Sequence, residues 1–288
     1  SAGGGAENES STDMDVTEIN VFSYQFRNDM VIVEAMAEKY MAKNPDVKIT
    51  VEEYPWDAYF QTLEVRFAAD DPNIDVVIMD IPMMAGYAER GYIDPMTDFI
   101  PESEFSSKIS AGTLNAITYN GEIMAGPLQN SDQYLYINAD MAAAAGVELP
   151  SVVVDNDTVI TEEFATSWGE AAWTWEEVVD AAMKMKQDTN NDGIVDVYGL
   201  HIEQATRLYQ LQPLGGSRGG SIVSPDGKSV KGYFDQPVWQ DAVRFYYDLF
   251  NTWEVEPPSC LLPGYDNGAE FINGSFAIRQ GDWKLAMC

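Results

Sequence analysis

Apolar residues in the first third of the chain alternate between two spacings. Glu18-Ile-Asn-Val-Phe22 reads as a short buried strand. Residues 30–44 then carry Val31, Val33, Met36, Ala37, Tyr40 and Met41 at helical spacing, and the pattern stops at Asn44-Pro45, because the residue before proline is pushed out of the helical region. Val47–Glu53 alternates apolar and polar positions, as a half-buried strand does. A second helix is predicted over 58–69. Asp75-Val-Val-Ile-Met79 is an apolar run suited to a buried parallel strand. A short helix over 84–89 is closed by Arg90-Gly91. This β-α-β-α-β rhythm predicts an open α/β sheet. In such sheets ligands bind beyond the carboxyl ends of the strands. That rule selects Ser23 and Tyr24 after the first strand, Tyr54 and Trp56 after the second, and Asp80 and Ile81 after the third.

Farther along, the extended stretch 122–138 runs through Ala125-Gly-Pro-Leu-Gln-Asn-Ser131 into Tyr134-Leu-Tyr-Ile137, and its Gly-Pro is a place for the chain to cross between lobes. A helical turn over 140–146 ends at Gly146. Residues 152–167, rich in Asp and Glu, predict a surface excursion or a small hairpin. Thr174-Trp-Glu-Glu177 is a capping box that starts a helix running to Lys186. A further helix over 237–253 is expected to bury Trp239, Val243, Tyr246, Tyr247 and Phe250. Nothing repeats at a fixed period, which argues against a solenoid.

Directly after the capped helix comes Asp188-Thr-Asn-Asn-Asp-Gly-Ile-Val-Asp196. Side-chain oxygens recur at Asp188, Asn190 and Asp192, Gly193 permits a sharp turn, and Ile194 (through its carbonyl) and Asp196 follow at the alternating positions that wrap a hard cation such as Ca2+. A full loop of this type ends in a bidentate Glu at its twelfth position, which here is Gly199. A carboxylate from elsewhere completes the shell or the site is weak. The other reading is an Asx turn that holds only its own amides. Any ion here would be structural, and no cofactor is required.

Composition narrows the partners. Asp and Glu number 47 against 16 Lys and Arg, a net charge of −31, which repels nucleic-acid phosphates and anionic lipid headgroups alike. With 45% hydrophobic residues the chain can nonetheless build a core, and 288 residues suit two lobes better than one. No apolar run is long enough to span a bilayer. The small, polar start Ser1–Asp13 reads as a tether, as in a bacterial surface lipoprotein whose signal and lipidated Cys have been removed, so membrane contact is expected only through a lipid anchor. Cys260 and Cys288 could form a bridge or stand as two buried thiols. With His201 the single histidine, a His-rich transition-metal site is not expected.

Several stretches, taken in order over residues 17–287, resemble the bacterial extracellular solute-binding proteins of carbohydrate-type ABC importers, the family that includes maltose-binding protein. They are Asp75–Asp80 with Ala88-Glu-Arg-Gly-Tyr-Ile-Asp-Pro95; Ala125-Gly-Pro-Leu128 with Leu135-Tyr-Ile-Asn138; Ala145-Gly-Val-Glu-Leu-Pro150; Thr174–Glu177; Asp192-Gly-Ile-Val-Asp-Val-Tyr-Gly199; and Phe271-Ile-Asn-Gly-Ser-Phe-Ala-Ile278 with Gly281-Asp-Trp283. The resemblance implies a two-lobe periplasmic-binding-protein-like α/β fold of type II, with a flexible tether over 1–16, an N-terminal lobe over 17–128 and a C-terminal lobe over 129–288. Family members continue past the Gly-x-Trp segment, so the expectation is a C-terminal part that is lacking here. It further implies capture of a sugar or polyol in an interlobe cleft and delivery to the transmembrane subunits of an ABC permease. By position, Asp282 and Trp283 would line the cleft, with Trp283 as a stacking platform. Gln129, Asn130 and Ser131 fall at the matched hinge, and Arg207 and Tyr209 near the second-lobe contact segment. Arg218 is a further candidate. Two rival readings are a polysaccharide-acting enzyme using paired carboxylates and a sensor or adhesion module on the same fold. Neither a Ser nucleophile elbow nor a metal-ligand His motif supports catalysis.

Overall fold

The structure, a computed structural model, describes residues 16–25, 31–129, 133–150, 161–203, 207–262 and 265–281. The chain divides into two compact units, Ser1–Asn130 and Ser131–Cys288. In the first, β1 (Thr17–Tyr24), α1 (Val31–Lys43), β2 (Val47–Tyr54), α2 (Trp56–Ala68) and β3 (Val76–Val77) build a parallel sheet of order β2-β1-β3. From β1 the chain passes to one side through α1 and then to the other through α2. The topological switch therefore lies at the carboxyl end of β1, where such sheets place ligands.

Phe22, Tyr24, Tyr59, Leu63 and Tyr87 form the buried centre of this unit. The Tyr59 hydroxyl lies 2.9 Å from the Phe22 carbonyl and 2.5 Å from that of Ile78, which ties α2 to β1 and to the segment after β3. Burial raises this phenol's pKa. The run 75–79 is not the buried strand its composition suggests. Only Val76 and Val77 pair, with β1 alone, and this edge position leaves Val76 46% exposed. Similarly, α3 (Ile81–Glu89) starts before the expected residue 84, because Pro82 suits a helix's first turn. The unit continues through α4 (Glu102–Ser106) and α5 (Ala111–Ala116) to the hairpin of β4 (Thr118–Tyr119) and β5 (Glu122–Ile123). Its turn residues Asn120 and Gly121 have φ of 50° and 86°, as a tight hairpin of this hand requires.

The second unit contains β6 (Tyr134–Ile137), α6 (Ala139–Ala144), α7 (Glu162–Ala171), α8 (Trp175–Met185), β7 (Tyr198–Ile202), α9 (Leu208–Gly216), α10 (Pro237–Asn251), α11 (Asn267–Ile272) and β8 (Phe276–Gly281). The sheet order is β6-β8-β7, with β8 antiparallel to β6 and parallel to β7. Of the acidic stretch 152–167, residues 152–160 lie outside the described residues. The remainder is helix and not a hairpin, since the Thr161 hydroxyl accepts from the Phe164 amide (3.1 Å) and caps α7. The predicted capping box forms on α8: Thr174 Oγ1 accepts from the Glu177 amide (3.2 Å) and Glu177 Oε2 from the Thr174 amide (2.7 Å). On α10 the buried stripe is Trp239, Ala242, Phe245 and Leu249, whereas Val243 and Tyr247, expected inside, face solvent. The stripe advances by three or four residues per turn, and those two fall off it. Cys260 is a free thiol, and Cys288 lies outside the described residues.

Candidate functional site

At the carboxyl end of the first sheet, strand register sets Tyr24 beside Tyr54. The rings of Tyr24 and Trp56 meet edge to face at 4.7 Å. Burial, and then the charge of Asp80, push the Tyr24 phenol up to about 12. Ser23 is fully buried, its hydroxyl donating to the Tyr24 carbonyl (3.1 Å), and Tyr24 itself is 7% exposed, so neither is presented to solvent. Tyr54 is half-buried. Its hydroxyl donates to Glu52 Oε1 (2.5 Å), and that bond with burial raises its pKa. Hydrogen bonds from Arg66 and then from Tyr54 hold Glu52 below the usual carboxylate range. Trp56 does not sit in a loop; it is the first residue of α2 and half-buried. Asp80 is the residue before α3, and Ile81, the first of that helix, is exposed. Gln129 is exposed, while Asn130, Ser131, Asp282 and Trp283 lie outside the described residues.

In the second unit a pocket of about 470 Å³ opens between β6, the start of α8, α9 and the end of β8. Its lining is Gln133, Tyr134, Leu135, Trp173, Trp175, Val178, Tyr209, Gln212, Pro213, Gly216, Ser217 and Gln280. Among the described residues the lining holds no Asp, Glu, Lys, Arg or His, although the chain carries a net charge of −31. Each surface has a local cause. The capping box fixes the start of α8, and Trp175 Nε1 donates to Ser217 Oγ (3.0 Å), locking the indole against the end of α9. Tyr209 and Tyr134 are exposed at the mouth. Gln280 is buried at the end of the central strand, and its Nε2 donates to the Gln210 carbonyl (3.0 Å). Gln280 Oε1 is also buried and accepts no hydrogen bond, so a ligand hydroxyl that reached it would satisfy a costly orphan. Aromatic faces and amides without charge suit the C–H patches and hydroxyls of a sugar.

Of the second-unit residues selected from sequence, Tyr209 belongs to this pocket. Arg207 precedes α9 and is exposed. Arg218 is committed elsewhere: Nη2 donates to Glu176 Oε1 (2.9 Å) and the guanidinium lies 4.9 Å from the Phe245 ring centre. Trp173, Trp175, Gln212 and Gln280 were not selected. The available signal was the Trp173-Thr-Trp175 pair flanking the helix cap.

The acidic loop joins α8 to β7. Asn191 and Gly193 adopt φ of 61° and 87° and turn the chain sharply. Asp188 accepts from the amides of Asp192 (3.2 Å) and Gly193 (2.8 Å), Asn190 from Asp192 (2.9 Å), and Asp192 from Ile194 (2.8 Å). Asp196 accepts from the Thr189 hydroxyl and amide, which lowers its pKa. The carboxylates of Asp188, Asp192 and Asp196 do not all three lie within 4.8 Å of one another.

A curated protein of Brucella abortus named as a binding protein is 22% identical over 224 residues, covering 78% of this chain and 47% of its own. A maltotriose-binding protein of Pyrococcus abyssi is 23% identical over 260 residues, covering 90% of this chain and 48% of the relative. The chain thus spans about half the length of the curated relatives it matches. Among solved structures, an ABC substrate-binding protein from Listeria monocytogenes in complex with cycloalternan superposes with a TM-score of 0.71 at 23% identity, over 95% of this chain and 63% of that one. That likeness gives the second unit and the first the fold of two-lobe periplasmic binding proteins. Among the described residues no helix is long and apolar enough to cross a membrane. The profile for bacterial extracellular solute-binding proteins matches residues 35–283, and the chain belongs to that family.

Proposed function

We propose that this chain captures a neutral carbohydrate or polyol and hands it, unaltered, to the permease of an ABC importer from outside the cytoplasm, held to the membrane only by a lipid anchor. The observation that carries the reading is the uncharged, aromatic- and amide-lined pocket of the second unit. A charge-free lining in so acidic a chain favours a ligand that brings hydroxyls and no charge. Among the described lining residues there is no pair of carboxylates to act as acid and base, and no nucleophile with a neighbouring base, which supports binding without turnover. In the first unit, Trp56 and Tyr54 offer further aromatic surface and Asp80 an acceptor for hydroxyls. A thermal-shift series tests the reading. Neutral oligosaccharides such as maltotriose at a hundredfold excess over Kd should stabilise the protein by about 2.7 kcal/mol. The matching uronates and sugar phosphates should not, and equal stabilisation by both sets would oppose the proposal.

The loop over 188–196 is assigned a structural Ca2+. Its support is the alternating spacing of oxygens and the left-handed turn at Asn191 and Gly193. An ion would have to draw the three carboxylates together, and relief of their mutual repulsion is the reward. Calcium is expected to raise the melting temperature of the wild type and not of Asp192→Ala. A shift in neither would leave the loop an Asx turn.

A further inference from the structure

A buried cluster on the second unit's sheet takes no part in the pocket. His201 on β7 places Nδ1 2.7 Å from Glu256 Oε1, and Cys260 Sγ lies 3.5 Å from the same oxygen. The three ligand atoms fall within 4.8 Å of one another, the only such His, Cys, Asp or Glu grouping among the described residues. His201 and Glu256 are 2% and 1% exposed, whereas Cys260 is half-buried and leaves a way in from solvent. We propose that His201, Glu256 and Cys260 form a zinc site that fastens the turn at Pro258–Leu261 to β7.

The donor set fits that ion. An imidazole nitrogen, a carboxylate oxygen and a thiolate are all zinc ligands, and the hard oxygen disfavours Cu(I). A tetrahedral Zn2+ sets such atoms about 3.3–3.6 Å apart. The sulfur–oxygen distance already matches, and the nitrogen–oxygen pair would open by about 0.6 Å once a metal replaced the hydrogen between them. Glu256 is pre-positioned because the Ile202 amide donates to both its oxygens (3.1 and 3.0 Å). The His201 ring is held between Tyr265 and Phe276, with centroid distances of 5.6 and 4.9 Å. Its Nε2 is buried with no partner among the described residues, while Nδ1 already faces the carboxylate and is the atom a metal would take. Charge also balances: Zn2+ with one thiolate and one carboxylate is neutral, which suits a site removed from water. On binding, the thiol proton leaves to solvent, the proton shared between Nδ1 and Glu256 passes to Nε2 or, where Nε2 already carries one, to solvent, and a water takes the fourth position.

Chelator-stripped full chain should bind one equivalent of Zn2+ by calorimetry, and Co2+ in its place should give a sulfur-to-cobalt charge-transfer band. Cys260→Ser, a near-isosteric change at a half-buried position, should abolish the band and weaken Zn2+ binding at least tenfold. Glu256→Gln should weaken it too, while Asp192→Ala should leave it unchanged. Circular dichroism confirms folding of each variant, and Cys260→Ser alone carries the test if Glu256→Gln fails to fold. Absence of zinc binding, retention of the band in Cys260→Ser, loss of zinc in Asp192→Ala, or a disulfide at Cys260 would each overturn the proposal.

Discussion

Replacing Gly199 by alanine is expected to destabilise the protein by about 3 kcal/mol, at the upper end of the range for overpacking. A Cβ at this position would lie 2.1 Å from the Ala182 carbonyl oxygen and 2.5 Å from its carbon. Both are backbone atoms of α8, so no side chain can swing aside. The helix would have to step back from β7, and Val178, Ala182 and Met185, all buried against the sheet, would lose contact with it. Chemical denaturation of Gly199→Ala measures the cost. Gly193→Ala is the control: nothing lies within 4 Å of that Cβ, and only the left-handed backbone (φ 87°) opposes it, at about 1–2 kcal/mol. Equal losses in the two variants would show that α8 yields easily. The same contact explains why the acidic loop lacks a Glu at its twelfth position: that residue is Gly199, and packing of α8 on β7 admits no side chain there.

The second large effect is on affinity. Tyr209→Ala is expected to weaken sugar binding by about 1–3 kcal/mol, the scale of a lost aromatic anchor, or roughly 5- to 150-fold. Tyr209 is 37% exposed at the pocket mouth, so its loss should change stability by no more than about 0.5 kcal/mol. That separation makes it a better probe than Trp175, whose indole also packs against the core and bonds Ser217. Calorimetry with maltotriose gives the first quantity and a melting curve the second. Unchanged affinity would remove the ring from the site.

Much of the first unit was legible from pattern. β1, β2 and α2 follow their patterns, whereas α1, read from apolar residues at helical spacing, leaves Met36 and Tyr40 56% and 51% exposed. The rule for open sheets selected Ser23, Tyr24, Tyr54, Trp56, Asp80 and Ile81. That rule locates a position in the chain but says nothing of exposure, so it selected Ser23 and Tyr24, which packing buries. The second-unit pocket was less legible for a different reason. Gln133, Trp173, Tyr209 and Gln280 come from four separate segments and meet only because β8, last in sequence, inserts between β6 and β7. No local period reports a strand order. Helix α9 was also concealed, since Pro213 within it reads as a breaker. The zinc cluster has the same character: His201 and Glu256 are 55 residues apart and meet through a strand and the turn after α10.

Calorimetric titration of the intact chain with a panel of neutral sugars and polyols, followed by chromatography of the recovered ligand, tests the central claim most directly. The account predicts saturable one-to-one binding of at least one neutral member, recovered chemically unchanged, with affinity that falls in Tyr209→Ala. Release of new reducing ends, or saturable binding of charged solutes alone, would contradict it.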